Sequence, residues 1–143
     1  MLPLSKASFV QRLRRLTGEQ RLLVLRASFM LGLASGAVAM LPFRFAIRFG
    51  CVPVKGATVR VSDCVWAVET AARRLPWRTM CIEKGLTAQR MLRSGGLPAV
   101  LHYGARHHPE TRKLEAHVWV TLDRQVVMGG DEAPNFALIA SYP

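Results

Sequence analysis

The stretch Arg78-Thr-Met-Cys81-Ile-Glu-Lys-Gly-Leu-Thr-Ala-Gln-Arg-Met-Leu92 decides the fold of this chain. Its apolar side chains recur at nearly helical spacing, which predicts a helix. Ser94-Gly-Gly96 and Pro98 follow, and these are residues that commonly end helices. Cys81 therefore falls in the first turn, where free backbone N–H groups and the positive end of the helix dipole stabilise an anion. Such a position suits a reactive thiolate, but the helix by itself supports a buried structural cysteine equally well.

The composition indicates a folded domain from a reducing compartment. The chain has 143 residues, 50% of them hydrophobic, which is enough for a buried core and excludes wholesale disorder. Three cysteines, at positions 51, 64 and 81, leave one unpaired in any disulfide scheme. The net charge of +11 is compatible with a nucleic-acid partner, but the basic residues are scattered along the sequence and form no recognition motif. We therefore expect no nucleic-acid binding; an acidic peptide, a partner protein or an anionic membrane surface accounts for the charge as well.

Residues 1–50 are predicted as an N-terminal helical region. Basic and apolar side chains mix in residues 1–17 as in an amphipathic helix, and Thr17-Gly-Glu-Gln20 resembles a capping box that opens a second helix. That second helix, residues 22–41, is the most hydrophobic part of the chain. Its uncharged part is about 15 residues long, whereas a membrane span needs about 20. We expect a buried helix in a cytoplasmic protein, with at most a peripheral contact at the inner membrane.

Residues 51–143 are predicted as a second unit. Asp63 is expected to cap a helix that ends near Leu75. After the cysteine helix the apolar period changes to two, which predicts strands of an antiparallel sheet at residues 99–103, 115–122 and 125–128. Helices followed by an antiparallel sheet define the α+β class.

A polar loop is predicted between the first two strands, at residues 104–114, and it carries His107 and His108. Adjacent histidines in a loop are more often solvated than metal-bound, and the sequence offers no second cluster of ligands. We therefore expect neither a metal nor a cofactor.

A cysteine nucleophile needs an imidazole to move protons and a carboxylate to orient the imidazole. His117 lies in the best-defined strand, and His102, also in a strand, is its competitor. Asp131 is the predicted carboxylate, because a three-residue hairpin connection would set it opposite His117. A two-residue turn would aim it at the other face unless a bulge at the twin glycines restored the register. Asp123 is the alternative, although it lies about 20 Å along the strand from His117.

Five sequence blocks, taken in order, resemble the lasso-peptide biosynthesis B2 family. They are Leu-Pro-Trp-Arg-Thr-Met-Cys81-Ile-Glu, Met-Leu-Arg-Ser-Gly-Gly-Leu-Pro98, Leu-His-Tyr-Gly104, Glu-Ala-His117-Val-Trp-Val and Val-Val-Met-Gly-Gly130. Members of that family are transglutaminase-like cysteine proteases that remove the leader from a ribosomally made precursor peptide. The resemblance extends over about residues 60 to 143.

The resemblance implies a transglutaminase-like, papain-like core in residues 51–143, with the cysteine helix packed on a small antiparallel sheet. It implies Cys81 as the nucleophile, His117 as the base and an acidic third member. It also implies three partners: the leader region of the precursor peptide, a separate leader-recognition protein, and a lasso macrolactam synthetase that acts on the product. A transglutaminase-like acyltransferase or amidase is one alternative, and a non-catalytic peptide-binding scaffold is another.

Overall fold

The computed structural model of the protein describes residues 14, 16–56 and 59–143, so the helix predicted for residues 1–17 lies mostly outside the described residues. The helices are α1 (Gly18–Met40), α2 (Phe43–Ala46), α3 (Val61–Arg74) and α4 (Cys81–Ser94), with 3-10 turns at Ile47–Gly50 and Ala133–Asn135. The strands are β1 (Val100–His107), β2 (Leu114–Leu122), β3 (Gln125–Met128) and β4 (Ala137–Tyr142). They form one antiparallel sheet in the order β3-β2-β1-β4, which confirms the α+β prediction.

The start of α1 is held by the predicted capping box. The Gln20 N–H donates to Thr17 Oγ1 at 3.2 Å, and the Thr17 N–H donates to Gln20 Oε1 at 3.0 Å. These two bonds satisfy backbone donors that a helix start otherwise leaves unpaired. The helix ends at Met40, just before Pro42, whose ring cannot continue it.

The prediction that this helix is buried is wrong for its outer face. One stripe enters the core: Val24, Ala27, Leu31 and Ala34. The opposite stripe exposes large apolar side chains to solvent: Leu22, Leu25, Phe29 and Leu33. Among the described helices, α1 is the one long and apolar enough to cross a membrane, a test that a core helix of a soluble protein or a signal sequence also passes. The apolar residues of α1 are spread around the whole helix, so its sequence has no polar face. The side of the helix that stays outside the core could therefore not be predicted from the sequence.

Helix α3 begins earlier than its sequence suggested. Arg60 occupies the N-cap position, and Asp63 is the third helical residue, so the prediction that Asp63 caps the helix is wrong. A carboxylate in the first turn still stabilises the helix, since it faces the positive end of the dipole. Cys64 is buried in the core, and this burial raises the pKa of its thiol.

Helix α4 begins at Cys81, which confirms that this cysteine lies in the first turn. The carboxylate of Glu83 is nearly buried and accepts a hydrogen bond from the Met80 N–H at 3.0 Å, which holds the helix entrance in place. One turn beyond Cys81, a Cβ added to Gly85 would come within 3.0 Å of both Leu101 Cδ1 and Val118 Cγ2. The first half of α4 therefore rests directly on β1 and β2, and a larger residue at position 85 would push against both side chains.

The loop predicted at residues 104–114 is shorter in the structure. Strand β1 continues to His107, because the charged outer positions pair across the strands: Arg106 Nε lies 2.9 Å from Glu115 Oε2. The turn itself is organised by His108, whose Nδ1 accepts hydrogen bonds from the N–H groups of Glu110 and Thr111, each at 3.2 Å. Because the outer face of this part of the strand is polar, the sequence pattern resembled a loop and the predicted strand was too short.

The connection from β2 to β3 has two residues rather than three. Asp123 and Arg124 form it, with φ angles of 50° and 68°, the pairing of positive φ values that tight hairpin turns require. Thr121 pairs with Val126, but Val120 pairs with Met128, so Val127 is an extra residue in a bulge. The prediction of a three-residue connection is therefore wrong, and the bulge lies before the twin glycines, the position at which a bulge could have restored the register.

Candidate active site

Cys81 is a half-buried free thiol at the first position of α4 and packs against the edge of the core. The other two cysteines are held in less reactive surroundings, since burial raises the pKa of both the Cys51 and the Cys64 thiol. A thiol at a helix start faces backbone N–H groups that have no partner within the helix. Of the three cysteines, Cys81 is therefore the one placed for nucleophilic chemistry.

His117 is held by the backbone of the chain that returns from β3. Its Nε2 lies 2.8 Å from the carbonyl oxygen of Gly129. A carbonyl can only accept, so Nε2 carries the proton and donates, which leaves Nδ1 of the neutral ring as the nitrogen able to take a proton. The ring lies near Trp119, at 6.2 Å between centroids, and near Phe136, at 5.1 Å. These contacts fix both the tautomer and the plane of the ring.

His102 has no such free nitrogen. Its Nδ1 lies 2.8 Å from Ser141 Oγ and its Nε2 lies 2.7 Å from Thr121 Oγ1. In the neutral ring one nitrogen donates and the other accepts, so both are occupied by hydroxyl groups. Burial lowers the pKa of His102, which favours this neutral form. His102 thus joins β1 to its neighbours β2 and β4.

The two candidate aspartates lie in different places. A cavity of about 510 Å³ is lined by both His117 and Asp131. Asp131 is exposed there and makes no hydrogen bond with the ring among the described groups; the Gly129 carbonyl accepts the hydrogen bond from Nε2 instead. Asp123 lies at the exposed hairpin turn and does not line the cavity.

Helix α4 reaches this cavity through Lys84, one turn beyond Cys81, and Cys81 itself is not among the lining residues. Lys84 Nζ lies 3.6 Å from Glu69 Oε2 of α3, so an ion pair forms part of the wall. Val118, and not His117, is the β2 residue beneath Gly85. The described structure accordingly joins His117 and Asp131 in one cavity and places Cys81 near that cavity without a hydrogen bond to the imidazole.

The Gly129 carbonyl is a hydrogen-bond partner of His117 that sequence reasoning missed. Gly129 has a φ of 76°, and an added Cβ would lie 2.8 Å from the Val118 carbonyl oxygen. Only glycine fits this position, which lets the chain leave β3 and turn its own carbonyl toward the imidazole. The twin glycines were the available signal in the sequence, but a glycine in a sequence does not reveal the direction of its carbonyl group.

Metal binding finds no support in the described part of the chain, where no group of three or more His, Cys, Asp or Glu side chains is placed to hold an ion. His107 and His108 instead make hydrogen bonds within their turn; His107 Nδ1 donates to the Arg112 carbonyl oxygen at 3.2 Å.

A family model described as the transglutaminase-like superfamily matches residues 52–141, well over half of the chain. The chain belongs to the transglutaminase-like superfamily. This superfamily includes cysteine peptidases, and Cys81, His117 and Asp131 all lie within the matched region of this transglutaminase-like chain. No curated protein and no solved structure matches it significantly.

Proposed function

We propose that this transglutaminase-like protein is a cysteine peptidase that removes the leader peptide from a ribosomally made lasso precursor. The observation that carries the proposal is the His117 ring, whose Nε2 is held by a backbone carbonyl while Nδ1 is left to exchange a proton. Cys81 at the start of α4 supplies the nucleophile. Catalytic hydrogen bonds are often long or unformed without substrate, so the sulfur and imidazole are expected to meet when the peptide is bound.

In the proposed reaction, the Cys81 thiolate attacks the carbonyl carbon of the scissile bond and forms a C–S bond. His117, protonated on Nδ1 by the thiol, returns that proton to the leaving amine as the C–N bond breaks. Water, deprotonated by His117, then hydrolyses the thioester and releases the leader acid. If an amine attacks the thioester in place of water, the product is an amide and the enzyme acts as a transferase. This is the second candidate function within the superfamily.

Asp131 is the proposed third member, acting through its charge on the imidazolium across the shared cavity. We expect Asp131→Asn to lower the cleavage rate about tenfold, an effect on the order of 1.4 kcal/mol. Asp123→Asn is the matched control and should change the rate little, because its side chain is at the distant turn. Initial rates of precursor cleavage measure both. A larger loss for Asp123→Asn than for Asp131→Asn would remove Asp131 from the mechanism.

The precursor is expected to arrive through a partner. We propose that a separate leader-recognition protein delivers the leader and that a macrolactam synthetase closes the ring on the product. The purified chain should cleave a candidate precursor slowly, and added recognition protein should raise the rate, since tethering raises the effective concentration of the scissile bond. Mass spectrometry of the released leader measures this. Equal rates with and without that protein would show that this chain binds the leader unaided.

We also propose that the protein is cytoplasmic and at most peripherally attached to the inner membrane. The exposed apolar stripe of α1 and the exposed Arg44 and Arg48 beyond its end suit contact with an anionic surface. Such a contact is released at alkaline pH, whereas a spanning helix is retained. Carbonate washing of membranes should therefore bring the protein into the supernatant; retention in the pellet would mean that α1 is inserted.

A further inference from the structure

A second, mostly apolar groove opens beside the His117 cavity. Its volume is about 770 Å³, and it is lined by Arg60, Val61, Ser62, Val65, Trp66 and Val127. Val65 of α3 and Val127 of β3 line both this groove and the cavity that holds His117 and Asp131. The two spaces are therefore neighbours that share part of their walls, and a chain bound at one can extend toward the other.

We propose that this groove binds an apolar side chain of the peptide substrate, two or so residues from the bond that is cut. The inference rests on the proposed peptidase function, and it adds a specificity site to it. Along β3, Val127 lies two residues before Gly129, whose carbonyl holds His117. Two residues of extended chain span about 7 Å. A peptide that lies along β3 with its scissile bond at His117 therefore reaches the groove about two residues away from that bond.

The position of β3 supports an extended peptide as the occupant. The sheet order places β3 at an edge, and no described strand pairs with its outer side. A peptide strand can add to such an edge through main-chain hydrogen bonds, while pockets for its side chains supply specificity. The bulge at Val127 interrupts the regular ladder next to the groove. Bulges of this kind redirect side chains beside active sites.

The apolar lining determines which side chain is preferred. The open groove is lined with hydrocarbon and an indole ring, from Val61, Val65, Trp66 and Val127. Burying a leucine or phenylalanine side chain against such surfaces favours binding by about tenfold or more over a small polar side chain.

The test uses the full chain carrying Cys81→Ala and two uncharged synthetic decapeptides that differ only by leucine or serine at one central position. Titrations followed by NMR detect weak binding residue by residue. The leucine peptide is expected to shift the amide signals of Val65 and Val127 and the indole Nε1–H signal of Trp66, and to bind about tenfold more tightly than the serine peptide. Equal binding of the two peptides, or leucine-dependent shifts confined to the exposed face of α1, would overturn the proposal.

A variant pair locates the effect. Trp66→Ala should reduce the preference for leucine over serine, whereas Ile139→Ala, which removes an exposed apolar side chain from the opposite edge strand, should leave it unchanged. An unaltered preference in Trp66→Ala would assign the leucine to another surface. The titration needs no catalysis, so a failure of the proposed peptidase function would appear separately, as a lack of Cys81-dependent cleavage in the unmodified chain.

Discussion

Replacement of Cys81 by alanine is expected to abolish leader removal, with a rate loss on the order of 10⁴-fold or more, as for other covalent nucleophiles. Without the sulfur no thioester can form, and no other group on α4 can replace a thiolate at the same position. The fold should survive, because Cys81 is half-buried at the first helical position and alanine is well accepted there. Mass spectrometry of precursor incubated with each variant measures the cleavage, and urea denaturation confirms that the variant is folded.

Cys51→Ala and Cys64→Ala are the matched controls and should retain activity. Burial raises the pKa of both thiols, so they stay protonated at neutral pH and react slowly with iodoacetamide. Cys64 is fully buried, so its alanine variant should lose some stability through a small cavity while keeping its chemistry. Cleavage that persists in Cys81→Ala, or disappears in Cys51→Ala, would assign the nucleophile elsewhere.

Replacement of His117 by glutamine should lower the cleavage rate about a thousandfold, within the range that general acid–base groups contribute. A glutamine amide can still donate a hydrogen bond to the Gly129 carbonyl, so the local structure is preserved, but it cannot take up or release a proton. The loss should therefore appear in kcat, with little change in KM.

His102→Gln is the comparison that separates chemistry from structure. Its amide can both donate and accept, which suits the hydroxyl groups of Ser141 and Thr121. This variant should keep most of its activity, and its main effect should be on the stability of the sheet. If His102→Gln instead removes the activity while His117→Gln retains it, the base is His102 and the proton route proposed above is wrong.

The proposed residues differ in how far sequence could predict them. The cysteine at a helix start and the histidine in a strand follow from local periodicity, since side-chain direction repeats every 3.6 residues in a helix and every two in a strand. The position of Asp131 depends on register, which one bulged residue shifts along the whole ladder. The bulge at Val127 adds one residue to β3, so beyond it the pairing register with β2 is the one that a three-residue turn would have produced. However, β3 ends at Met128, before Asp131 is reached.

What could be read from the order of residues alone was therefore the α+β class, the capping box at Thr17, the first-turn position of Cys81 and the hairpin of β2 and β3, though not the length of its turn. Each depends on neighbours a few residues apart. The Gly129 carbonyl at His117, the two hydroxyl groups at His102 and the exposed stripe of α1 came from the folded molecule. They depend on groups distant in sequence, and on backbone oxygens that every residue carries, so local side-chain patterns do not encode them.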